Sequence, residues 1–175
     1  MTAQVGSSAR DAELSVLLDK EAIREVIARA VRGVDRLDAE LLGSAFHPDG
    51  VDEHHGHPYS GATIGEELTR TEAEIMLMTS LHITTQTIQV NGDRAGVESY
   101  YFGVHRPKGL GGDKRLLSSG RMLDELERRN GEWRIIHRDV IPDMARVLPM
   151  ADEVDLGEQP SRRDRDDPSY QVLST

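Results

Sequence analysis

The chain has 175 residues, 37% hydrophobic and 30% charged, with a formal net charge of −10 and no cysteine. That length suits one well-buried domain. The acidic balance, with no Lys/Arg block, excludes a nucleic-acid partner and disfavours an anionic membrane surface, while the lack of thiols excludes disulfides, a cysteine nucleophile and a Cys-based zinc site.

No apolar run approaches the roughly 18 residues of a membrane span. The opening MTAQVGSSARDAELSV lacks the basic-then-apolar pattern of a leader, so a cytoplasmic protein is expected. After a flexible start over 1–11, apolar residues from Leu14 through Ile23, Ile27 and Val34 recur every three or four positions. This predicts a long amphipathic helix over 12–34 that ends near Gly33. A second helix is expected from the N-cap candidate Asp38 to the stop signal His47-Pro48-Asp49-Gly50. Residues 51–61, VDEHHGHPYSG, read as a polar, turn-rich connection with one short strand at most, and 62–78 as a further helix.

Beyond this point the period becomes two. Ile83–Val90 and Ala95–Val104 flank Asn91-Gly92, and Leu116–Glu127 and Trp133–Ile141 flank Asn130-Gly131. Asn-Gly tolerates the positive φ of tight turns, so two long β-hairpins are predicted. Between them RPKGLGGDK (106–114) has neither phosphate-loop spacing nor a following helix and reads as a flexible connection. The domain therefore spans 12–148. Residues 149–175 form a charged tail poor in apolar residues, either disordered or draped over a neighbouring subunit through Tyr170, Val172 and Leu173. Helices followed by a four-stranded antiparallel meander make an α+β arrangement, a curved sheet folding over the long helix around an interior pocket.

A two-residue loop at Asn91-Gly92 pairs Val90 with Asp93, Ile88 with Ala95 and His82 with Tyr101 on one face. Ile88 and Val97 then wall the pocket, and His82 and Tyr101 look into it. A catalytic imidazole needs a partner, and Asp35, just past the last apolar turn of the long helix, is the first candidate. The simpler reading is that Asp35 or Asp38 caps the second helix. HHGH beside Asp52 and Glu53 offers nitrogen and oxygen donors. Without an element to preset their geometry, these histidines read instead as flanking the pocket, His54 and His55 contacting substrate, with no metal held.

GVDRLDAELLGSAFHPDGV after the first helix, SLHITTQTIQVNGDRAGVESYY, and a last hairpin ELERRNGEWRIIHRDVI together resemble the SnoaL-like branch of the NTF2-like superfamily, over roughly residues 12–145. Within it the chain is most similar to the cofactor-independent lyases, which include hexachlorocyclohexane dehydrochlorinase, scytalone dehydratase and bile-acid 7α-dehydratase. The resemblance implies an NTF2-like (cystatin-like) cone with N-terminal helices packed in a curved antiparallel sheet. It further implies an Asp–His dyad of Asp35 and His82, with Arg138 as a third site residue. The family's Lys on the first helix has no counterpart, Ala30 standing there. Strict alternation from Trp133 and Ile135 would turn His137 inward and Arg138 outward unless a bulge intervenes.

The residue types suit the chemistry. A neutral imidazole takes a proton from carbon, a carboxylate behind it fixes the tautomer and neutralises the imidazolium, and an arginine stabilises the departing or enolate anion. Tyr101 is placed to donate to a substrate oxygen. The expectation is a cofactor-independent lyase or isomerase acting on a small apolar molecule of steroid, polyketide or aromatic type, as a homodimer or homotrimer. The alternative is a non-catalytic binding or assembly module, such as a ring-hydroxylating dioxygenase small-subunit-like protein.

Overall fold

The computed structural model describes residues 2–54, 56–111, 114–149 and 161–174. Helix α1 (Thr2–Arg36) starts ten residues before the apolar pattern requires. Its buried stripe, Ile23, Val26, Ile27 and Ala30, lies in the half that meets the sheet, whereas Leu14, Leu17 and Leu18 are exposed. The helix ends where Leu37 takes a φ of +52° and Asp38 donates its amide to Gly33 O at 2.8 Å. Gly33 is obligatory for packing: a Cβ there would lie 2.7 Å from the backbone nitrogen of Leu42 in helix α2 (Ala39–Ser44). Asp38, not Asp35, caps α2, accepting the Leu41 amide at 3.1 Å.

The next elements are β1 (Phe46–His54), β2 (His57–Ser60), α3 (Ile64–Ile75), β3 (Met76–Asn91), β4 (Arg94–Pro107), β5 (Lys114–Arg129), β6 (Glu132–Pro149) and α4 (Ser169–Val172). The architecture is the expected α+β cone, but its sheet has six strands in the order β2-β1-β6-β5-β4-β3, not four. The added pair covers the residues 47–50 expected to stop the second helix, which ends at Ser44, and most of the stretch 51–61 read as a polar connection. Its inward positions carry Asp52 and His54, so no apolar alternation betrays a strand. β1 runs parallel to β6, and every other pairing is antiparallel. The helix expected to reach 78 stops at Ile75, because Met76 is already extended.

At the second hairpin Asn130 and Gly131 both take positive φ, 54° and 83°, and form the two-residue turn as expected. At the first hairpin the turn moves on by one residue. Asn91 pairs with Arg94, and Gly92, φ +62°, opens the loop.

One transverse row of inward residues crosses all six strands: Ile88, Val97, Asp124, Arg138, Asp52 and Tyr59. Its β3–β4 end joins the apolar core with Ile27, Leu126 and Ile135. The part on β5, β6 and β1 is charged, and its Arg138 and Asp52 border a cavity.

Residues 161–174 fold back onto α1 and the start of α2 of their own chain. Arg163 donates to Val34 O and Asp35 O, both at 3.1 Å, which places a cation on the carbonyl end of α1. Tyr170 donates to Asp38 at 2.6 Å. Polar groups of Arg163 and Tyr170 make these contacts, and Val172 and Leu173 are exposed on the single chain. No helix among the described residues is long and apolar enough to cross a membrane.

Candidate functional site

Between the helices and the concave face of the sheet lies a cavity of about 920 Å³, its mouth included. Val31, Val34, Leu68, Leu81 and Met122 give it apolar walls, and its polar residues fall into two groups.

The first group sits on adjacent strands. Arg138 pairs across β5 with Asp124 and across β1 with Asp52. It donates Nε to Asp124 Oδ1 at 2.5 Å and Nη2 to Oδ2 at 3.1 Å, a bidentate pair with both side chains buried. Burial works against the charge of the guanidinium, but the Asp124 carboxylate outweighs it and, with Asp52, holds the Arg138 pKa above the ordinary arginine value. Nη1 makes no hydrogen bond among the described residues. His54 follows Asp52 by two positions and so shares its face of β1. Its Nδ1 lies 3.6 Å from Asp52 Oδ1, and both atoms are shielded from solvent.

Arg138 reaches the interior because β6 carries a bulge. Ile135 pairs with Leu126 and His137 with Glu125, so Ile136 is an extra residue that reverses the alternation. Arg138 is 4% exposed, whereas His137 turns outward toward Asp139.

The second group lies farther along the same face. His105 Nε2 is 2.9 Å from Ser118 Oγ, and Thr79, the cross-strand neighbour of His105, donates to Glu72 at 3.3 Å. All four side chains line the cavity. Tyr101 stands between the groups, its hydroxyl over Gly120, where a Cβ would come within 2.9 Å of it. Burial, then the charge of Asp143, raises the Tyr101 pKa above 10.

The expected Asp35–His82 dyad does not form. His82 is exposed on the outer face, opposite Phe102, with Nε2 3.1 Å from Ser80 Oγ. The shifted turn is not the cause, since it changes the pairing sum by two and preserves every face. The cause is a bulge at Thr84-Thr85: Ile83 pairs with Tyr101, Gln86 with Ser99, and the alternation reverses between them. Leu81 and Thr79 thereby enter the cavity and His82 leaves it.

Asp35 instead binds the start of β3, accepting the Leu81 amide at 3.1 and 3.2 Å. Burial pushes its carboxyl from 3.8 up to about 6, against the pull of that amide, Arg36 and Arg163. Ile88 and Val97 belong to the packed core and do not line the cavity, because they sit on the row's apolar end. Tyr101, His54 and Arg138 do line it. His55 lies outside the described residues, and among the described residues no three His, Asp or Glu side chains converge as metal ligands would.

Sequence reading missed Asp52, Asp124, Glu72, Thr79, His105 and Ser118 as site residues. Asp124 had a legible signal: it shares parity with Met122 and Leu126, an acid on an apolar face.

A family model described as a SnoaL-like domain matches residues 15–139. No curated protein matches the sequence. Among solved structures, a hexachlorocyclohexane dehydrochlorinase (LinA) Type2 superposes with a TM-score of 0.75 at 19% identity, covering 83% of this chain and 99% of its own. A protein assigned as a scytalone dehydratase from Novosphingobium aromaticivorans gives 0.63 at 18%, covering 79% and 97%. A protein of unknown function with a cystatin-like fold from Nostoc punctiforme gives 0.59 at 28%, covering 72% and 92%.

Proposed function

We propose that this chain, which belongs to the SnoaL-like domain family, is a lyase or isomerase that abstracts a proton from carbon in a small, largely apolar molecule, with His54 as the base. The observation that carries this reading is the row Asp52–Arg138–Asp124, of which Asp52 and Arg138 line the cavity while Asp124 backs Arg138, with His54 beside Asp52 on the wall.

Asp52 behind Nδ1 favours the tautomer that keeps Nε2 as the acceptor, and it neutralises the imidazolium formed. The separation of 3.6 Å is of the loose kind that tightens when substrate closes a site. The C–H proton passes to Nε2. Its electron pair either forms a C=C bond as a neighbouring hydroxide or halide departs, or delocalises into a carbonyl and is reprotonated at another carbon. Either way negative charge develops on an atom within reach of a cation already fixed in place. Arg138 is that cation: Asp124 holds it rigid, and Nη1 remains for the substrate. Tyr101, kept protonated by burial, is the donor to a substrate oxygen. Tyr100 and Phe102, exposed on the outer face of β4, suit cover by a second copy in a homodimer or homotrimer.

The test uses 2-tetralone, an apolar ketone with acidic α-hydrogens, in D2O, with deuterium incorporation followed by proton NMR. The wild type is expected to accelerate exchange, and His54→Gln to lose about 10²- to 10⁴-fold of that acceleration. Binding of the ketone without any acceleration would favour a non-catalytic binding module.

A further inference from the structure

The inner faces of β4 and β5 run without a bulge from the Arg138 end of the cavity to the His105 end. Asp124, Met122, Gly120 and Ser118 share one face of β5. Asp124 and Ser118 stand six residues apart, at most ~20 Å along the strand at ~3.3 Å per residue. The cavity is thus polar at both ends, and between them lie Met122, Gly120 and the ring of Tyr101, whose hydroxyl is the polar group lining the cavity in that stretch of β4 and β5.

The far end is built to hold its geometry. A side chain at Gly103 would approach His105 Nε2 to 2.4 Å and Ser118 Oγ to 2.6 Å, so only glycine lets the ring lie across to Ser118. Thr79 is 3% exposed and its hydroxyl proton is committed to Glu72, which leaves its oxygen lone pairs to accept. Ser118 Oγ, touching His105, retains the capacity either to donate or to accept.

These groups select the ligand's chemistry. A carboxylate would meet Glu72. A cation would gain little, because Arg163 already lies 3.8 Å from Glu72 and is fixed by the carbonyls of Val34, Asp35 and Met76. A neutral hydroxyl can give a hydrogen bond to Thr79 and take one from Ser118, matching both at once.

We propose that Thr79, His105 and Ser118 form a second subsite that receives a neutral hydroxyl at the far end of an elongated, otherwise apolar substrate, whose reacting carbon lies at the Arg138 end. The substrate class is therefore a rigid, multi-ring or long-chain molecule with oxygen functions at both ends. This rests on the proton-abstraction reading only for which end reacts; the subsite itself is a matter of binding.

The test measures calorimetric affinities of the wild type for 17β-estradiol and for estra-1,3,5(10)-trien-3-ol, which lacks the 17-hydroxyl. The diol is expected to bind about fivefold more tightly, the worth of one neutral hydrogen bond. Ser118→Ala and Thr79→Val should each erase most of that preference, Thr79→Ser should keep it, and His54→Gln should leave it intact. Equal affinities in the wild type, a preference that survives both Ser118→Ala and Thr79→Val, or binding of neither steroid would overturn the subsite. A retained preference in a protein that fails to exchange 2-tetralone would overturn the reaction and leave the subsite standing. Exchange without the preference would do the reverse.

Discussion

Strands β4 and β5 and strands β3 and β6 carry the same alternating kind of sequence, yet they present it differently. From Ala95 to Gly103 every second residue of β4 is buried, and β5 keeps one inner face from Leu116 to Leu126. β3 changes face at Thr84-Thr85, and β6 at Ile136 and again at Asp143. In the unbroken pair the inner polar groups sit among apolar neighbours of the same parity, as Asp124 does. In the bulged pair one inserted residue decides which of two adjacent side chains enters the cavity: Arg138 over His137, and Leu81 over His82. Bulges here are devices that aim side chains.

The aiming is most costly to disturb where it buries charge. Asp124→Ala leaves the Arg138 guanidinium in the interior without its carboxylate and is expected to cost about 3–5 kcal/mol in urea unfolding. A loss below about 1 kcal/mol would mean that Arg138 finds solvent and that the β6 bulge does not fix it inside. Gly120→Ala tests the unbroken face. The new Cβ would come within 2.2 Å of Ile141 O, a backbone atom that cannot swing aside. About 1–3 kcal/mol of destabilisation is expected from such overpacking.

Asp35 holds β3 ahead of its bulge and carries a pH signature. Its folded-state pKa of about 6 exceeds the ordinary 3.8, so the folded protein favours the protonated carboxyl. That contribution is fully present below pH 3.8 and is lost as pH rises through 6. Asparagine does not titrate and still accepts the Leu81 amide. Asp35→Asn should therefore stabilise the protein at pH 7 by on the order of 1–3 kcal/mol, and the gain over wild type should shrink between pH 6 and pH 4. A thermal-shift series across that range would contradict this if the variant were less stable at pH 7. The smallest effect is expected at His82. Exposed and hydrogen-bonded to the side chain of Ser80, it should change stability by less than about 0.5 kcal/mol on replacement by alanine.

The legible parts of the molecule are those whose signals are local. The stripe of α1, the cap at Asp38, the turn at Asn130-Gly131 and the order of helices before hairpins all follow from spacing and turn chemistry. The family resemblance brought Arg138 into consideration, and parity alone would have discarded it. What stayed illegible were the bulges, because Thr84-Thr85 sits in a run of four β-compatible polar residues and Ile136 beside another isoleucine, so neither site differs in type from its neighbours. β1 was hidden for the opposite reason: its inward residues are an aspartate and a histidine, which read as a loop until the charge of Arg138 is placed opposite them.

The central claim is that the cavity's working imidazole is His54 and not His82. Exchange of 2-tetralone α-hydrogens for deuterium, measured side by side in His54→Gln and His82→Gln, tests it most directly. The account predicts that the first variant loses about 10²- to 10⁴-fold while the second exchanges at the wild-type rate. Loss of exchange in His82→Gln with His54→Gln unaffected would contradict it.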